Sequence, residues 1–112
     1  MTIIQRPEFI LNLENIFILN EVDDKVTLHV LTAEGLIKRS FDYTLADLLS
    51  YAQVNANPNP TMVYIEGYLI TPLSNIILIK DTGVGIEIFF TNKGNPMPLP
   101  FKITDIKLMN FN

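Results

Sequence analysis

Glu14-Asn15-Ile16-Phe17-Ile18-Leu19-Asn20-Glu21, then Val22-Asp23-Asp24, then Lys25-Val26-Thr27-Leu28-His29-Val30: this stretch decides the fold. The first segment is a short apolar run bounded by polar residues, and the last alternates with period two, so both predict strands. Val22-Asp23-Asp24 supplies the turn between them, because Asp tolerates left-handed backbone and hydrogen-bonds its own main chain. Val26, Leu28 and Val30 are then expected on one face, and Lys25, Thr27 and His29 on the other. Working outward, Thr32-Ala33-Glu34-Gly35 is a second turn and Leu36-Ile37-Lys38-Arg39-Ser40-Phe41 a third strand. The reading is a β-meander.

Beyond the meander, Thr44 with Asp47 forms a capping box with Asp in place of Glu, and Leu45, Leu48, Leu49 and Ala52 recur at helical spacing. One amphipathic helix is predicted over residues 45–54, its apolar stripe laid on the sheet. Pro58 and Pro60 end it and make residues 55–60 a loop within the domain. Strands return at 62–65, 68–70, 76–80 and 85–91, with a short edge at 97–99. Asp81-Thr82-Gly83 and Asn92-Lys93-Gly94 are the turns. Ile86, Ile88 and Phe90 share a face opposite Glu87 and Phe89, as in a strand covered on both sides. Pro96, Pro98 and Pro100 hold their segment to an edge. Ile103, Ile106 and Leu108 suggest a last helical turn. The expected fold is mainly β, antiparallel strands and hairpins with one principal amphipathic helix and a short C-terminal helical turn, in a single domain over 1–112.

Composition narrows the function classes. The 112 residues include 8 Lys+Arg, 12 Asp+Glu, one His and no Cys, a formal charge of -4. Without Cys there are no disulfides, thiolate zinc sites or Cys nucleophiles. A lone His29 argues against a transition-metal site, so no metal and no cofactor is expected. With 18% charged residues the chain is apolar for its size, against about 25% in soluble domains. No run approaches the roughly 18 apolar residues of a spanning helix. Met1-Thr2-Ile3-Ile4-Gln5-Arg6-Pro7-Glu8 lacks the basic-then-apolar order of a signal peptide, and the expectation is cytoplasmic, with no membrane partner. A net negative charge discourages general adhesion to nucleic acid while leaving room for a small basic patch.

Ile79-Lys80-Asp81-Thr82-Gly83-Val84-Gly85-Ile86 is the sharpest local string. It resembles the nucleotide box of the histidine-kinase and gyrase ATPases, where the Asp bonds the adenine amino group. The chain from Asp81 to Asn112 is too short for their lid and second glycine motif, and the predicted helix lacks their metal-bridging Asn. Asp81-Thr82-Gly83 also resembles the aspartic-protease triplet, which in small retroviral-type proteases lies early rather than late. A tight turn between strands outweighs both. His29 serves no Ser or Cys motif and reads as a partly exposed strand residue, and the chain is expected not to be an enzyme. Tyr43, Tyr51, Tyr64, Tyr68 and the phenylalanines read as core and rim, since no basic residues interleave with them. Lys38-Arg39, the only basic pair, reads as a solvated strand end.

The order of elements resembles the LytTR domain family over residues 10–109. Leu13-Glu14-Asn15-Ile16-Phe17-Ile18-Leu19, the Asp23-Asp24-Lys25 turn, the strand through Val30, the Gly35 turn and Thr44-Leu45-Ala46-Asp47-Leu48 are similar to its first half. Met62 through Ile76 follow its strand, connection and "apolar, Asn, Leu, x, x, Ile" pattern in one register. Ile86-Glu87-Ile88-Phe89-Phe90 and Met97-Pro98-Leu99 are similar to its later strands. The resemblance implies a bacterial transcription regulator that reads the major groove through inter-strand loops, here stand-alone without a receiver domain. Three positions depart from the family pattern: Glu66-Gly67 replace its His and basic or amide residue, Pro72 its Asn, and Pro100-Phe101 its Ser-Arg, with Lys102 one place on. Duplex readout needs donors and cations on those loops. The candidate DNA contacts are Lys25, Lys38, Arg39, Lys93 and Lys102. The alternative is a LytTR-derived interaction or dimerisation module, with a second copy or another regulator protein as partner, that has lost DNA binding.

Overall fold

The computed structural model describes residues 2–54, 61–91 and 94–110. The predicted loop at 55–60 lies outside them, as do Asn92 and Lys93 of a predicted turn. The chain is mainly β. Strands β1 (Thr2–Arg6) and β2 (Phe9–Asn12) precede β3 (Ile18–Val22), β4 (Lys25–Thr32) and β5 (Gly35–Phe41). Helix α1 (Leu45–Leu49) leads to β6 (Ala52–Val54), β7 (Thr61–Ile65), β8 (Leu69–Pro72) and, after a 3-10 turn (Leu73–Asn75), β9 (Ile76–Asp81). Then come β10 (Ile86–Phe90), β11 (Met97–Leu99), a second 3-10 turn (Ile103–Asp105) and β12 (Ile106–Asn110).

All pairings are antiparallel. They build three sheets, β2-β1-β6, β11-β10-β9 and the six-stranded β12-β7-β8-β3-β4-β5. The meander sits in the six-stranded sheet as the sequence predicts. Val22 lies opposite Lys25, leaving Asp23 and Asp24 as a two-residue loop with φ of 53° and 63°. Two consecutive left-handed residues make the turn whose twist matches a hairpin.

The central strands of the six-stranded sheet are covered on both faces, which gives three layers there. On one face Leu19, Val26, Leu28, Met62 and Ile70 pack against Ile4 and Leu11 of the β1 sheet and Leu45 and Leu48 of α1. On the other, Ile18, Ile65 and Leu69 pack against Ile86, Ile88, Phe90 and Leu99 of the β10 sheet. The period of two places neighbours such as Ile18 and Leu19 in different cores. All four residues of β8 are buried, as a central strand with both faces covered requires. β11 lies at an edge, where Pro98 is tolerated.

Two predicted elements differ. The helix stops at Leu49 instead of reaching 54. Thr44 Oγ1 accepts from Asp47 N at 3.1 Å, the expected cap, but Ser50 N already closes the far end on Ala46 and Asp47 carbonyls at 3.2 Å. Residues 52–54 join β1 instead, Ile4 facing Ala52 and Thr2 facing Val54. A backbone ladder offered by an open strand edge outweighs one more turn of a short helix. The C-terminal helical turn is confined to Ile103–Asp105, where Asp105 Oδ2 accepts from Lys102 N at 2.9 Å. Ile106 and Leu108 belong to strand β12, which takes the free edge of β7 in five pairs from Ile106 opposite Ile65 to Asn110 opposite Thr61.

Candidate functional site

Strand parity decides which of the candidate cations share a surface. Lys25 opens β4 and its Nζ lies 3.1 Å from Asp42 Oδ1, both side chains exposed. Lys38 stands opposite His29 on β5, and Arg39 opposite Leu28. Successive strand residues face opposite ways, so Lys38 lies on the same side as Lys25, Thr27 and His29, and Arg39 lies on the other. Arg39 Nη1 turns back to donate to the Lys38 carbonyl at 2.8 Å. Lys102 sits far along the chain in the loop after β11, and Lys93 lies outside the described residues. The described candidates are therefore divided between both faces of the β5 edge and a separate loop.

The loops named by the resemblance do meet. Glu66 and Gly67, with φ of 70° at the glycine, form the β7–β8 turn, and the Tyr68 ring packs 5.0 Å from the Phe101 ring of the loop after β11. Charges of both signs gather there. Lys107 Nζ is 3.6 Å from Glu66 Oε2, and Lys102 is followed by Asp105. Pro72 is buried within β8, opposite Met62, and presents nothing to a ligand.

Asp81-Thr82-Gly83-Val84-Gly85 is a turn. Asp81 Oδ1 accepts from Gly83 N at 2.7 Å, Thr82 N donates to the Gly85 carbonyl at 2.9 Å, and Gly83 holds φ of 87°. At Gly85 a β-carbon would collide with the Leu99 carbonyl oxygen. Both glycines are thus required by backbone geometry.

Two surfaces were invisible to local pattern. Arg6 lies 3.7 Å over the Tyr51 ring and donates from Nε to Tyr43 Oη at 3.3 Å; that hydroxyl donates to Glu8 Oε2 at 2.9 Å. The other is the edge of β9, the outer strand of its sheet and without a partner strand on that side among the described residues, where Ile77 is 69% and Leu78 49% exposed. No helix among the described residues is long and apolar enough to cross a membrane. Among them no cluster of three or more His, Asp and Glu side chains is placed to hold a metal ion. A scan against protein-family models, a search of curated proteins and a search of solved structures each returned no match to this chain.

Proposed function

We propose that the chain is a LytTR-like, non-enzymatic β module that binds a second copy of itself through the edge of β9. One observation carries the reading: β9 has a free backbone edge and exposes Ile77 and Leu78. An open strand edge with apolar side chains is a template for another strand. A second copy supplies that strand in a self-complementary two-fold contact. The LytTR part rests on the order of strands, the helix opened by Thr44 and the edge strand Met97–Leu99. A use other than duplex reading is supported by the charges, since Lys25 and Lys107 are each held by a carboxylate and Glu66 occupies a loop where a donor would be needed.

Sedimentation velocity tests the proposal. A dimer at about 100 μM that dissociates on dilution, and is lost in Ile77→Lys, supports it; a monomer throughout that range rejects it. One observation favours duplex DNA as a second reading: Lys25 and Lys38 share a face of the β4–β5 hairpin. Fluorescence anisotropy decides it. Salt-sensitive binding to a selected duplex, abolished by charge reversal of Lys25, Lys38, Arg39, Lys93 and Lys102, supports DNA; no binding at low ionic strength excludes it.

A further inference from the structure

The outer sheet does not cover the whole of the face it packs on. Its edge strand β11 passes beside β3 and β4, and a cleft of about 250 Å³ remains there, lined by Ile18, Asn20, His29, Tyr68, Leu69 and residues 97–99. Ile18 and Leu69 belong to the core beneath the outer sheet, so the floor is apolar. Met97, Pro98 and Leu99 form the opposite wall.

Several polar side chains of the six-stranded sheet and its connections are occupied. Thr71 Oγ1 donates to the Phe17 carbonyl at 2.6 Å, Asn75 Nδ2 to the Ile16 carbonyl at 2.9 Å, and Thr27 and Ser40 hydroxyls meet at 3.3 Å. Asn20, His29 and Tyr68 are each half-buried, yet none of their side chains makes a hydrogen bond to another described residue. Three half-buried polar side chains around one apolar cleft, with no side-chain hydrogen bond to another described residue, leave donors and acceptors that a ligand in the cleft can engage.

Their chemistry limits what fits. Asn20, Tyr68 and a neutral His29 each offer both a donor and an acceptor. Burial, and then the neighbouring Lys38, lower the His29 pKa below its usual 6.5, so the imidazole is neutral at pH 7. No Lys, Arg, Asp or Glu is among the residues that line the cleft, so an ion entering it would give up water with no charged partner in the wall; Lys38, beside His29, lies outside the lining. At the roughly 30 Å³ that a water occupies in the liquid, the space takes about eight non-hydrogen atoms. We infer that the cleft between β11 and the β3–β4 face binds a small uncharged amide, its donor and acceptor edge on Asn20, His29 and Tyr68. This site does not depend on the β9 edge or on self-association.

Titration of the 15N-labelled full chain tests it with benzamide, with benzoate as the charged isostere and toluene as the apolar one. Benzamide is expected to shift the amides of Asn20, His29, Leu69 and Leu99 saturably, with Kd about 1 mM or tighter. Benzoate and toluene are expected to bind at least about fivefold more weakly. Tyr68→Phe, which removes one hydroxyl from a half-buried ring, is expected to weaken benzamide about threefold or more, and Asn20→Leu likewise. No saturable shift at about 20 mM, benzoate or toluene binding as well as benzamide, or unaltered affinity in Tyr68→Phe, each overturns the inference.

Discussion

Among the described residues the two longest outer strands, β5 and β9, meet the same hazard in opposite ways. β5 closes the six-stranded sheet and carries Lys38 and Arg39 at its centre, one on each face. A second β5 approaching antiparallel would bring like charges together, which is how natural sheets keep their edges single. β9 closes the outer sheet and keeps its charges, Lys80 and Asp81, at one end, leaving Ile76 to Ile79 without any. β5, exposed from Gly35 to Ser40, is guarded by charge, whereas β9 carries no charge from Ile76 to Ile79. That asymmetry is the ground on which β9 is proposed as the surface of association.

The strongest way to break the comparison is to give β9 the guard that β5 has. The double variant Ile77→Lys, Leu78→Lys is expected to weaken self-association about 100-fold, measured by sedimentation, with the thermal midpoint of the monomer little changed, because both side chains are already exposed. Next comes the anchoring of the outer sheet. Gly85→Ala forces a β-carbon onto the Leu99 carbonyl and is expected to cost about 1–3 kcal/mol in urea unfolding, loosening β11 from β10 and with it the frame that holds β9. The converse experiment removes the guard: Lys38→Thr with Arg39→Thr is expected to create a second mode of association, raising the apparent affinity about tenfold. The smallest effect concerns pH. Burial and then Lys38 lower the His29 pKa in the folded state, so its contribution to stability is present above the unfolded value of about 6.5 and is lost as pH falls below it. Thermal midpoints measured downward from pH 7 should fall in the wild type and less steeply in Lys38→Ala, and His29→Gln should remove this component.

What local pattern could read, it read where chemistry is short-range. Asp23-Asp24, Gly35 and the Thr44 cap mark boundaries by their own backbone needs, and the strands they separate stand at those places. β6 and β12 escaped because each is a short edge strand made by a distant partner. Ala52 fits a helical stripe and also a ladder with Ile4, and only the presence of β1 decides between them. The hairpin of β1 and β2 shows no marked alternation, since Ile3-Ile4 and Ile10-Leu11 place apolar residues on both faces. The candidate cations were visible as residues, while their separation follows from register. Lys38 and Arg39, adjacent in sequence, stand on opposite sides for the same reason that makes alternation diagnostic. The cleft around His29 was beyond reach, because its far wall is β11, which joins the β3–β4 face only in the folded chain.

The place of β12 in the six-stranded sheet also sets the order in which the molecule can assemble. The β3-β4-β5 meander closes through turns of a few residues, and β7 meets β8 across Glu66-Gly67-Tyr68. β12 reaches β7 only after β9, β10 and β11 have passed between them in the chain. Closing so long a loop is slow relative to forming hairpins. Until it closes, β7 offers an unpaired edge bearing Met62, Val63 and Ile65. A chain whose β12 has not yet docked exposes that strand at the opposite side of the sheet from guarded β5, so β12 acts as the cover of an edge that would otherwise pair with other chains.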